Sequence, residues 1–118
     1  MLSESGPGAI YLACGATDMR KSIDSLAALA THAFDLDPFS DSRFVFCNRG
    51  RDKLKILRWD RNGFWLYYRR LEKGRFEWPA SSVGSSIVIS RRQLAWLLDG
   101  LPLEQHRAHS EVSARLVV

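Results

Sequence analysis

Nine cations offer the clearest chemistry in this sequence: Arg49, Arg51, Lys53, Lys55, Arg58, Arg61, Arg69, Arg70 and Arg75. Guanidinium forks match phosphate oxygens and an ammonium supplies a compact point charge, so a dense set of both suits a polyanion. Trp59, Trp65, Tyr67 and Tyr68 lie among them and offer flat faces on which bases stack. Neighbours on a strand point oppositely, so Trp65 and Tyr67 share one face and Tyr68 belongs to the other. The aromatics therefore cannot all line one groove. Three readings of the set stay open: direct nucleic-acid contact, a solvated cationic face over an aromatic core, and a surface for a protein partner.

Other chemistry is poorly supported. Asp18, Asp24, Asp35, Asp37 and Asp41 suggest a small metal-dependent nuclease, but two-metal chemistry needs carboxylates converging on the ions. Capping a helix, facing solvent and shaping a helix exit are the more ordinary tasks for them. His106-x-x-His109 has a zinc-compatible spacing without a nearby cysteine or a helical pattern. Neither a G-x-S-x-G elbow nor a phosphate-cradling glycine loop is present, and no base can be assigned to Cys14. No catalytic, metal or cofactor set follows. Arg43-Phe44-Val45-Phe46 matches only a fragment of the aromatic motif of RNA-binding sheet modules.

The cations and aromatics need strands to position them. Arg43 to Pro79 reads as one antiparallel meander, because Leu54, Ile56 and Arg58 alternate with Lys55, Leu57 and Trp59, and the pattern repeats from Phe64 to Arg69. Asn62-Gly63 tolerates positive φ and predicts a tight hairpin. A second reversal falls at Leu71 to Gly74, with a short strand from Arg75 to Trp78 that Pro79 ends. Before the meander, Ala9 to Ala13 predicts a strand and Met19 to Phe34 an amphipathic helix, capped by Thr17 or Asp18. Phe39 is expected to tack the following loop onto the sheet. After it, Ile87 to Ile89 suggests a further short strand. Ser90-Arg91-Arg92-Gln93 is a capping box opening a second helix with Leu94, Leu97 and Leu98 inward. The expected class is α+β: a small twisted antiparallel sheet of four to five strands with two main helices packed on one face. Residues 1–8 read as a lead-in, 9–102 as a single domain and 103–118 as a tail.

Charge is unevenly spread. Arg43 to Glu77 has a net charge of +7, and the residues before it have −4. The whole-chain value of +4 hides that separation. Cys14 and Cys47 are the only cysteines among 118 residues, so no disulfide framework is indicated. The opening residues lack the basic and apolar regions of an export signal, and no run approaches the roughly 18 apolar residues of a spanning helix. A cytoplasmic protein with reduced thiols is the expectation, with no membrane contact.

Several words of the sequence are more specific than its composition. Tyr11-Leu12-Ala13-Cys14-Gly15-Ala16-Thr17-Asp18-Met19-Arg20-Lys21 resembles the opening motif of a bacterial mobile-element family. Phe44-Val45-Phe46-Cys47-Asn48-Arg49, Lys55-Ile56-Leu57-Arg58-Trp59-Asp60, Arg70 to Phe76 with Trp78-Pro79, and Gln93 to Gly100 continue the likeness in order. The family is the TnpB-type second-frame accessory protein of insertion sequence sixty-six, distinct from the RNA-guided nuclease of that name. The resemblance implies a non-catalytic assistant of DNA transposition, with strand transfer left to a separate, larger transposase. It transfers no active-site residue. Element DNA, that transposase and a second copy of the chain are the partners it brings into view, with a protein-only adaptor as the alternative to DNA contact. Arg20, Lys21, Trp65 and Tyr67 are the candidate partner-binding residues. Ser22 and Ser25 stand where the family commonly has glycine, and the tail after Pro102 lacks the usual basic, aromatic character.

Overall fold

A computed structural model describes residues 8–79 and 85–104. Five strands form one open sheet in the order β4-β3-β2-β1-β5, with β1 at Ile10–Ala13, β2 at Arg43–Cys47, β3 at Lys53–Asp60, β4 at Gly63–Arg70 and β5 at Ser86–Ile89. Helix α1 spans Ile23–His32 and α2 spans Arg91–Leu98. The α+β class stands. The sheet is mixed, however, and not wholly antiparallel: β1 pairs with β2 in parallel, while β2–β3, β3–β4 and β1–β5 are antiparallel. The cause is α1, which carries the chain back along the sheet between β1 and β2, so that both strands run the same way.

The helices also lie on opposite faces, where one shared face was expected. Ile10, Leu12, Val45, Cys47, Leu54, Ile56 and Ile89 pack with Leu97 of α2. Ala13, Phe44, Phe46 and Leu57 pack with Leu26 and Ala30 of α1. These are alternate residues of the same strands, so they emerge on opposite sides. Strand β2 shows why: Phe44, Val45, Phe46 and Cys47 are all buried, the unbroken apolar run of a strand covered twice.

Helix α1 begins at Ile23, four residues later than expected from Met19, and its N-cap is Ser22. Asp18 does not cap it, because its carboxylate is engaged by Arg20. The carbonyls of Met19 and Lys21 accept from the Lys55 ammonium at 2.8 Å each, which holds this segment outside the helix. The two unusual serines meet at the start: the Ser22 N–H donates to Ser25 Oγ at 2.9 Å. At α2 both halves of the expected capping box form, Gln93 N–H to Ser90 Oγ at 3.0 Å and Ser90 N–H to Gln93 Oε1 at 2.8 Å.

Arg75 to Trp78 is not a strand. The Leu71 and Phe76 amides donate to the carbonyls of Asp52 and Arg51, so this stretch follows the turn between β2 and β3 instead of extending the ladder. Phe76 and Trp78 are still buried in the α2-side core, and the Trp78 indole donates to the Ala13 carbonyl at 3.0 Å. The β3–β4 hairpin forms as expected, with the left-handed backbone at Arg61, φ 62°, and not at the Asn-Gly pair. Phe39 packs against Trp59 and Phe64 with ring centroids 5.1 and 5.4 Å apart, closing its loop on the sheet as anticipated. No helix among the described residues is long and apolar enough to cross a membrane. The expected lead-in and tail, including His106 and His109, lie outside the described residues except at Gly8, Leu103 and Glu104.

Candidate nucleic-acid interface

One end of the sheet gathers most of the cations. Antiparallel pairing sets Lys53 opposite Arg70, Leu54 opposite Arg69 and Lys55 opposite Tyr68. The turn from Asn48 to Asp52, bearing Arg49 and Arg51, caps the same end. Arg75 follows because the Phe76 amide bonds the Arg51 carbonyl at 2.6 Å. The exit of β1 arrives here too: the Thr17 amide donates to the Cys47 carbonyl at 2.7 Å. Two motifs remote in sequence, Ala16 to Arg20 and Asn48 to Lys53, thereby become the walls of one open groove. Its volume is about 680 Å³, and Thr17, Asp18, Arg20, Arg49, Lys53 and Tyr68 are among its lining residues.

Local bonds shape these walls. The Asn48 side chain accepts from the amides of Asp52 and Lys53 at 3.1 Å each and donates to the Asp52 carboxylate at 2.8 Å. Those contacts close the turn that presents Arg49, with Arg51 held at a φ of 63°. On the opposite wall, Arg20 grips Asp18 with two nitrogens, Nε to Oδ1 at 3.1 Å and Nη2 to Oδ2 at 2.8 Å. Those hydrogen bonds pull the Asp18 carboxyl down to about 2 and raise the Arg20 guanidinium above its ordinary value. The Arg20 side chain nevertheless stays 91% exposed, with donors facing solvent.

Ion pairing divides the candidates. Lys53 meets Asp52 at 3.4 Å and Arg70 meets Glu72 at 3.0 Å. The Asp52 carboxyl is lowered first by the Asn48 hydrogen bond, and the Arg70 guanidinium is raised first by the bond to Glu72. Exposed pairs of this kind stabilise little and exchange readily. Among the described residues, no ion pair engages Arg49, Arg51, Arg69 or Arg75. Lys55 has a different task. Beyond its two carbonyl bonds, its ammonium sits 5.7 Å from the Tyr68 ring centroid, so it fastens the Ala16–Arg20 wall to β3.

The remaining candidates stand apart. Arg58 is opposite Trp65 on the α2-side face, and Arg61 occupies the hairpin at the far end of β3. Seven residue steps of strand separate Lys53 from Asp60, about 23 Å. Trp65 and Tyr67 share the α2-side face, as alternation requires, with stacked rings 6.1 Å apart. Arg20 lines the groove and not the face of that aromatic pair, while Lys21 follows it in the chain outside the lining, its carbonyl held by Lys55. Asn48 and Thr17, which organise the groove, were not singled out by residue chemistry. Asn48 two residues before Gly50 is the signal that would have found the turn.

Comparison with known proteins agrees with the order of motifs. The family model described as IS66 Orf2 like protein matches residues 8–108. The uncharacterized protein y4hO of Sinorhizobium fredii (strain NBRC 101917 / NGR234) is 40% identical over 92 residues, 78% of this chain and 79% of that protein. The uncharacterized protein y4jC of the same strain is 32% identical over 92 residues, covering 78% of each chain. No solved structure matches.

Proposed function

This chain belongs to the IS66 Orf2-like family, and on that premise we propose that it is a non-catalytic accessory of insertion-sequence transposition that contacts element DNA, or a complex of that DNA with the transposase, through the cationic end of its sheet. The supporting observation is the meeting of Arg20, Arg49, Arg51, Lys53, Arg70 and Arg75 around one groove and its rim. A duplex presents a regular row of phosphates, and cations released from distant parts of the chain to one end meet several at once. Phosphate contacts of this kind position a protein without reading sequence. The reading assigns no residue a bond-breaking role, and the Asp18 carboxylate is committed to Arg20.

The test measures affinity of the purified protein for an element-end duplex and for the large transposase, separately and together, across salt concentrations. Arg49→Glu with Lys53→Glu is expected to weaken duplex binding at least tenfold at low salt while the fold persists. Lys55 is left intact, because its loss would release the groove wall. Undiminished DNA affinity in that double variant sinks this surface. Binding to the transposase without any affinity for DNA would make the protein an adaptor instead.

A further inference from the structure

We propose that the α2-side face of β3 and β4 is a stacking platform for unpaired bases of a single DNA strand, separate from the groove. The proposal rests on the nucleic-acid reading above but uses other residues. Trp65 and Tyr67 are two apart on the edge strand β4, so their rings emerge on the same face about 7 Å along the chain. They lie nearly parallel, 13° between planes, and remain 53% and 45% exposed. The indole N–H is held by Asp60 Oδ2 at 3.3 Å, which fixes the ring before any ligand arrives.

Cations frame this pair. Register puts Arg58 beside Trp65 and Arg43 beside Arg58, and alternation puts Arg69 next after Tyr67 on the same face. Among the described residues no ion pair engages these three guanidiniums, and the carboxylate at the end of the row, that of Asp60, is already engaged by the indole. An apolar protein segment would gain two rings and leave those guanidiniums without carboxylates. An extended single strand matches both features, with bases on the rings and phosphates toward the guanidiniums. Duplex DNA keeps its bases stacked within the helix and offers the rings little. From Trp65 through Tyr67 to Arg69 the row climbs β4 toward the cationic end, so a strand unpaired from a duplex held there has a continuous path along one edge of the sheet.

The experiment compares a labelled oligothymidylate of about twenty nucleotides with a duplex of equal length, using fluorescence anisotropy on the full chain. Trp65→Ala is expected to weaken oligothymidylate binding about tenfold, and Trp65→Phe to keep most of it. Both variants should bind duplex within about twofold of the parent and keep its thermal midpoint. Tyr67→Ala serves as the second probe should Trp65→Ala fold poorly. Equal oligothymidylate affinity in the two alanine variants overturns the platform. Duplex binding without oligothymidylate binding by the parent overturns it too, and leaves the groove reading intact. If neither DNA binds, both readings fall. Loss of transposase binding in Trp65→Ala, with DNA affinities unchanged, would assign this face to a protein.

Discussion

Cys47 shows how a residue beside a prospective binding surface is kept out of its chemistry. Its side chain is fully buried at the end of β2, one residue before the turn that presents Arg49. Burial pushes the thiol up to about 12, against a weaker downward pull from Arg51. The thiolate is the nucleophile, so the native residue is inert at neutral pH. Iodoacetamide at pH 8.5 should leave it unmodified in the folded protein and label it in urea. Labelling of the native protein at the rate of a free thiol would contradict the packing described. Linkage adds a pH dependence. A group with a raised folded value stabilises fully below its unfolded value, near 9, and that stabilisation is lost as pH rises toward 12. The urea midpoint should therefore decline above pH 9, and less steeply in Cys47→Ala, which lacks the titrating group. Lys55 makes the complementary point. A cation that composition alone places on a phosphate surface is tied by two backbone carbonyls, and charge reversal there would damage the groove before it reported on DNA.

At the level of elements, the β2–β3 turn depends on one side chain. Asn48→Ala removes two bonds accepted from backbone amides, one from the Cys47 thiol and one donated bond from a part-buried site. The loss should cost about 1–3 kcal/mol, read as a lower urea midpoint with an unchanged slope. Amide exchange should accelerate first at Asp52 and Lys53. Asn48→Asp keeps an acceptor for both amides but faces the Asp52 carboxylate, so it should be stable at low pH and weakened at neutral pH. Equal stability of all three proteins would remove the turn from the account. This turn also marks where sequence reading stops. The β3–β4 hairpin and the start of α2 were legible because their signals are local: alternation, a two-residue reversal, and Ser90 with Gln93. The late start of α1 was not. It depends on Lys55, 34 residues from Lys21, drawing carbonyls away from a helix that local periodicity favoured. Arg75 to Trp78 reads as a strand because aromatics alternate there too, yet the Phe76 amide turns to Arg51 in the loop between β2 and β3. The nine cations were legible as a set. Their division into a groove end, a fastening lysine and an opposite face was not, because strand register and the second helix decide it.

Over the whole molecule, the charge separation along the sequence becomes a separation in space. The cationic end holds Arg49, Arg51, Lys53, Arg70 and Arg75, with Arg20 across the groove. The loop leading into β2 returns Asp35, Asp37 and Asp41 to the other end of the sheet, where Asp60 closes β3. About 23 Å of strand lies between the ends, nearly three screening lengths at physiological salt. A phosphate row at the cationic end therefore feels that end and little of the acidic one. A protein with a net charge of +4 should then bind duplex as if it were more basic. If about five phosphates are neutralised, the logarithm of affinity should fall against the logarithm of salt with a slope near −4.5. Removing Arg49 and Lys53 should reduce that slope by about 2 units. Asp35→Asn with Asp37→Asn changes net charge by an equal amount at the far end, and should leave the slope unaltered. A steeper slope in the aspartate variant, matching the change from the cation variant in size, would mean that total charge governs binding and that its arrangement on the sheet does not.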